Sequence, residues 1–227
     1  MTAIIAIRPE PGCAATVALG AEMGLAIEPF PLFAAEPVAW SAPDSGSLDA
    51  ILIGSANVLR HGGCGLDGLR SLPALCVGEA TAQAARDAGF HVVATGTGGL
   101  QSVLPIAQRM GMTRLLRLSG EARAPLTLPE GISTDTRTCY RIDNRPIGTG
   151  LAERLRNGAL VLLHSGEAAA HLSAETDRLS LPRSAIAAAC LAPRIAQRAG
   201  GGWAALSTAS KPQDAALLAL AAQMCQA

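Results

Sequence analysis

Two similar α/β domains with parallel sheets, joined by two crossings that run in opposite directions, are the architecture this sequence predicts. Three observations carry it. Short apolar runs alternate with helical patterns along most of the chain. Two halves of the chain can be laid on each other: residues 51–57 (ILIGSAN) match 161–167 (VLLHSGE) at an offset of 110 (Ser165 against Ser55), and residues 76–82 match 190–196 at an offset of 114 (Cys190 against Cys76). The second offset also brings residues 106–110 onto 220–224. Finally, two extended passages, Leu32 to Val38 and Thr136 to Pro146, interrupt the alternation.

Taken in order, Ile4 to Ile7 reads as a strand, Ala14 to Met23 as a helix ended by Gly24, and Leu25 to Phe30 as a second strand. The proline-punctuated stretch 29–37 cannot be helix and reads as a crossing. Trp40 to Gly46 is loop, and Leu48 to Ile53 a strand that ends in Gly54, Ser55, Ala56 and Asn57 before a short helix. Leu75 to Val77 is a buried strand that turns at Gly78 into a helix, with Ala80, Ala84, Ala85 and Ala88 at helical spacing and Thr81 in its first turn. His91 to Ala94 is a strand, followed by a glycine loop at Gly96, Gly98 and Gly99 and a helix from Leu100 to Met110. Arg114 to Leu118 is a strand with Ser119, Gly120 and Glu121 as its loop. After the second extended passage come strand Ala159 to Leu163, the loop His164-Ser165-Gly166 and a helix from Glu167. A strand from Ile186 to Leu191, a helix from Pro193 to Arg198, a strand from Trp203 to Leu206 and a helix from Asp214 to Met224 complete the chain.

The second copy begins near residue 148 and lacks a first strand and helix, whereas Ile4 to Phe30 is a βαβ piece without a partner. Domain one is therefore expected to be discontinuous, residues 1–31 and 147–227, with residues 39–135 as domain two. Residues 32–38 and 136–146 would form a short antiparallel ladder between them, and the strand-end loops at Ser55, Gly78, Gly98 and Ser165 would meet at a hinged cleft.

Composition narrows the function. Of 227 residues, 49% are hydrophobic and 16% charged, and 18 basic residues balance 18 acidic ones. Neither nucleic acid nor a membrane surface is suggested, because no basic field exists to attract either. The first residues lack the basic and long apolar regions of a signal peptide, so a cytoplasmic protein is expected. Six scattered cysteines form no CxxC pair. His61 and Cys64 have no second ligand pair after them, so no metal is expected. The loop at Gly96 to Gly99 has Gln101 in place of the third glycine of a dinucleotide fingerprint, and no phosphate-binding P-loop occurs.

What remains is a set of helix N-termini and glycine turns suited to carboxylate or phosphate. Backbone amides at Ser55, Gly78, Gly98 and Gly99 are the candidate donors. Arg8, just past the first strand, is either an anion ligand or an ion-paired arginine.

These residues resemble the uroporphyrinogen-III synthase family. The resemblance rests on Val77 to Ala82, the strand end Ile53-Gly54-Ser55, the glycine loop at 96–99, the lone tyrosine Tyr140 on the second crossing, and Leu163-His164-Ser165. It implies two flavodoxin-like three-layer α/β domains joined by a two-stranded antiparallel linker. It implies a monomeric enzyme without cofactor that cyclises hydroxymethylbilane to uroporphyrinogen III, inverting ring D through a spiro intermediate. Tyr140 would hydrogen-bond or protonate the leaving hydroxyl, unless it only packs against the ladder. Thr81 would hydrogen-bond a side-chain carboxylate or else only satisfy its helix start, and Asn57, His164 and Ser165 would contact the substrate or else only shape their loops. Gly54 and Ile195 depart from the family, which often has Thr at the first place and Thr or Ser at the second. Transient contact with the enzyme that supplies this unstable substrate is left open by the neutral charge. A two-lobed binding module that closes on a small anionic ligand without chemistry is the main alternative, and a nucleotide-dependent enzyme a weaker one.

Overall fold

The computed structural model describes residues 2–226. Along the chain, β1 (Ala3–Ala6), α1 (Gly12–Glu22) and β2 (Ile27–Pro29) form the first βαβ unit. β3 (Phe33–Pro37) follows, then β4 (Ala50–Ile53), α2 (Asn57–His61), β5 (Ala74–Val77), α3 (Glu79–Asp87) and β6 (Val92–Gly96). The predicted helix from Leu100 divides into a 3₁₀ turn, Leu100–Val103, and α4 (Leu104–Arg109), with Pro105 in the first turn of α4. Proline lacks an N–H and is tolerated only there, so the regular helix starts beside it. The chain continues as β7 (Arg114–Gly120), β8 (Ser133–Asn144), α5 (Thr149–Arg156), β9 (Ala159–Leu163), α6 (Gly166–Arg178), β10 (Ile186–Cys190), α7 (Pro193–Ala199), β11 (Ala205–Thr208) and α8 (Asp214–Met224). No element was expected at α5. Its eight residues bury only Leu151, Ala152 and Leu155, and Gly148 and Gly150 at its start mask the pattern.

Two compact units result, residues 1–34 with 143–227, and residues 35–142. The first holds a five-stranded sheet in the order β2-β1-β9-β10-β11, all pairs parallel. Numbered within the unit, this is 2-1-3-4-5, the flavodoxin-like order. In the second, β8-β7-β4-β5-β6 are parallel neighbours in the same spatial sequence, but β4, β5 and β6 come first along the chain and β7 and β8 last. The repeat is thus one topology traced from two different starting strands. β3 lies beside the far edge of β8. The Val38 amide donates to Cys139 and the Arg145 amide to Leu32, so the two segments run antiparallel.

Each sheet is covered on both faces, which explains why its strands read as continuous apolar runs. In the first unit, Ile5, Ile7, Val161 and Leu163 pack with Leu151 and Leu155 of α5, Leu172 of α6 and Ile195 of α7. Ile4, Ala6, Leu160 and Leu162 point the other way, onto Cys13 of α1 and Leu217, Leu218 and Ala221 of α8. In the second unit, Ile51, Ile53, Leu116 and Leu118 meet Val58, Ala82 and Ala85. Ala50, Leu52, Leu75 and Leu115 meet Leu100, Val103, Leu104 and Ala107. This is the three-layer arrangement in both units. Among the described residues, no helix is long and apolar enough to cross a membrane.

Candidate active site

Open parallel sheets bind ligands outside the carboxyl ends of their strands, at the point where the strand order reverses. In residues 35–142 that point lies between β7 and β4, and a cavity of about 280 Å³ occupies it. Its wall carries Gly54 and Ser55 from the end of β4, Gly98 and Gly99 from the loop after β6, and Arg117, Ser119, Gly120 and Arg123 from β7 and its loop. Tyr140 of β8 completes it. Four of the residues singled out in the sequence, Ser55, Gly98, Gly99 and Tyr140, are therefore brought together. Gly98 and Gly99 have φ of +79° and +120°, a conformation that side chains resist.

Tyr140 is placed by a bulge. β7 and β8 pair in register from Arg114 with Ser133 to Ser119 with Thr138, and then Gly120 faces Tyr140, so that Cys139 is the extra residue. Such a bulge turns the following side chain out of the alternation. The Tyr140 ring lies across Gly120, where a Cβ would stand only 2.7 Å from Cζ. It is 9% exposed, with the His61 ring centroid 6.2 Å away.

The cavity also holds residues that the sequence reading passed over. Leu115, Arg117 and Ser119 share one face of β7, so the apolar layer gives way to a guanidinium and a hydroxyl at the strand's carboxyl end. Arg117 donates from Nη2 to the Ala124 carbonyl at 2.7 Å, while its Nε and the Ser119 Oγ are buried with no partner among the described residues. Burial, and then the charge of Arg123, push the Arg117 pKa down. The available signal was an arginine in mid-strand, between Leu116 and Leu118.

Asn57, Gly78 and Thr81 lie outside this wall. Asn57 accepts from Arg60 through Oδ1. Gly78 needs its φ of +77°, but its amide donates to the Gly96 carbonyl at 2.9 Å, because the β5–β6 ladder runs on by one residue. That corrects the expectation of a free amide at Gly78. The amides an anion could use are those of Glu79 and Ala80, at the first two positions of α3, which an α-helix leaves without an internal acceptor. Thr81 is buried.

The equivalent point of the first unit lies between β1 and β9. There Arg8 donates to Asp214 Oδ2 at 2.7 Å and Thr16 hydroxyl donates to the same oxygen at 3.2 Å. His164 Nε2 stands 3.6 Å from Asp214 Oδ1, with its side chain 6% exposed. Burial first, and then the Arg8 charge, lower the His164 pKa to about 4, against the opposing pull of Asp214. Arg8 is thus ion-paired, the second of its two sequence readings. Asp214 was not foreseen, because an acid in a helix's first turn is ordinary and Arg8 is 206 residues distant. Ser165 caps α6, its Oγ accepting from the Ala168 amide at 3.1 Å. Among the described residues, no group of three or more His, Cys, Asp or Glu side chains could hold a metal ion.

A family model described as uroporphyrinogen-III synthase HemD matches residues 14–219. The chain belongs to the uroporphyrinogen-III synthase family. Among solved structures, it is similar to uroporphyrinogen-III synthetase from Helicobacter pylori, with a TM-score of 0.66 at 16% identity, over 99% of this chain and 100% of that one. It is similar also to a mutant uroporphyrinogen III synthase from the extremely thermophilic bacterium Thermus thermophilus, with a TM-score of 0.50 at 18% identity and the same coverage. At such identities the structural likeness speaks for the fold, and the family match for the kinship. A comparison with curated proteins gave no match. Against the family's pattern, Gly54 has Leu100 pressed on it: a Cβ there would meet Leu100 Cγ and Cδ1 at 3.3 Å. A hydroxyl-bearing residue at this place would have to move Leu100.

Proposed function

We propose that this chain cyclises hydroxymethylbilane to uroporphyrinogen III. The observation that carries the proposal is the family match across residues 14–219. It favours the cyclase over a binding module without chemistry. The reaction begins as the hydroxyl on the ring A carbon leaves, giving an electrophilic azafulvene. Ring D attacks through its substituted carbon to give the spiro intermediate, which opens and recloses with ring D inverted. One water is lost and no electrons are gained or lost, so the step is that of a carbon–oxygen lyase and requires no redox cofactor.

The protein's part is to hold the chain's ends in reacting geometry faster than spontaneous closure occurs, and to assist the departure of hydroxide. Tyr140 is the residue suited to the second task. It lines the cavity from a strand rather than a loop, held against Gly120, with its phenol able to donate to the departing oxygen. Substrate carboxylates are matched by the glycine amides at 98 and 99 and by the cationic wall beside them. A cytoplasmic monomer is the setting that fits this reading.

The test is the disappearance of freshly generated hydroxymethylbilane with and without the protein. Consumption well above the spontaneous rate supports the cyclase. Saturable binding with no acceleration would leave the binding module.

A further inference from the structure

We infer that Arg117, Ser119 and Arg123 form a pocket for a single carboxylate, built into the residue 35–142 unit. Arg117 sits in mid-sheet, between Leu52 of β4 and Thr136 of β8 in the strand registers. Only 8% of it is exposed, and among the described residues its side chain hydrogen-bonds only the Ala124 carbonyl. Its charged neighbour is another arginine, and among the described residues neither Arg117 nor Arg123 is paired with a carboxylate. A buried cation with no counter-charge is costly, so proteins rarely keep one without a use. Two residues further on, the Ser119 hydroxyl is equally buried and, like Arg117 Nε, has no hydrogen-bond partner among the described residues. Arg123 is pinned by the carbonyls of Gly120 and Glu121 and by Thr138, all through one guanidinium nitrogen.

Both orphaned groups belong to residues that line the cavity at the strand-order reversal, beside Gly98 and Gly99. A planar carboxylate that enters there meets a guanidinium fork, a hydroxyl and backbone amides, and supplies the missing negative charge. The cavity's 280 Å³ takes one acidic side chain with its ring, not a chain of four rings. Resting on the proposed reading, the occupant is one acetate or propionate arm of the linear tetrapyrrole. Its charge would also cancel that of Arg117, which otherwise opposes cation formation nearby.

Two experiments test the pocket. The first compares the thermal midpoint of the protein in sodium succinate, sodium phosphate and sodium chloride at equal ionic strength. Succinate is expected to stabilise wild type above chloride, and to lose this excess in Ser119→Ala, Arg123→Gln and Arg117→Met. The same excess in the variants, or none in wild type, would overturn the pocket; an equal excess with phosphate would overturn its assignment to carboxylate. Arg117→Met separates ligand binding from a structural role. With the unpaired charge gone, its midpoint without succinate is expected to hold or to rise by about 2–4 °C, whereas a structural arginine would give a fall.

The second experiment measures the dissociation constant of uroporphyrin III by its fluorescence. Arg117→Met is expected to weaken binding by about 10- to 100-fold, and unchanged affinity would overturn the assignment to the tetrapyrrole arm. If wild type makes no type III isomer, the proposed function fails while the succinate comparison still decides the pocket. If it does make type III and the variants bind and turn over like wild type, the pocket fails and the cyclase stands.

Discussion

Gly120→Ala perturbs Tyr140 without touching it chemically. Gly120 does not have a positive φ, so the substitution carries no backbone strain and its whole effect is contact. The added Cβ would lie 2.7 Å from Tyr140 Cζ, 2.8 Å from Cε2 and 3.0 Å from the phenolic oxygen. Ordinary carbon contacts begin near about 3.5 Å, so the ring must retreat by about 1 Å. Overpacking of this kind costs about 1–3 kcal/mol, readable as a fall in the urea midpoint. A displacement of about 1 Å in a group acting on the leaving oxygen lowers turnover about 10- to 100-fold. In a Tyr140→Phe background the clash with Cζ persists but the acting hydroxyl is already gone. Gly120→Ala should then still destabilise, yet leave turnover nearly unchanged. Full turnover in the single variant, with the expected loss of stability, would refute the reasoning, because the ring would have moved without consequence.

Three other outcomes are expected. Tyr140→Phe alone should lower turnover at least about tenfold with little change in the dissociation constant of the product, and equal losses in both would assign the hydroxyl to binding. His164 titrates at about 4 in the folded protein against 6.5 when free, so the unfolded chain takes up the proton first as pH falls. Its contribution is intact above about pH 6.5 and lost progressively down to about pH 4, about 3 kcal/mol in all; urea titrations of wild type and His164→Gln at about pH 7 and about pH 4.5 should diverge accordingly, and parallel pH dependence would contradict this. Glu175 accepts from the Ile147 amide at 2.7 Å and holds Arg178 through both oxygens. Glu175→Ala strands a buried amide and should cost about 2–3 kcal/mol in chemical denaturation, with a loss under about 1 kcal/mol counting against the buried bond.

The fold was legible because the strands are covered on both faces and flanked by glycine turns, so apolar runs such as Ala159 to Leu163 stand out without tertiary knowledge. The repeat was legible for the same reason, although its permuted strand order was not: pairing β7 with β4 depends on contacts 64 residues apart, such as that of Asp49 with Thr113. Ser55, Gly98 and Gly99 could be placed beside one another because turns after strands must lie at one sheet edge, whereas Tyr140 stood out only as the lone tyrosine on the second crossing, through the family resemblance. Arg117 and Ser119 were not, because a run such as Arg114 to Leu118 reads as a strand whatever charge interrupts it, and only the sheet shows that this charge is buried. Asp214 illustrates the opposite limit. Nothing local distinguishes it from any acid that starts a helix, and only the fold sets it against Arg8 and His164.

Chromatography of the oxidised product from freshly made hydroxymethylbilane, beside a control without protein, tests the central claim most directly. A type III isomer well above the control is predicted, since inversion of ring D does not accompany spontaneous closure. Type I alone, from folded protein, would contradict it.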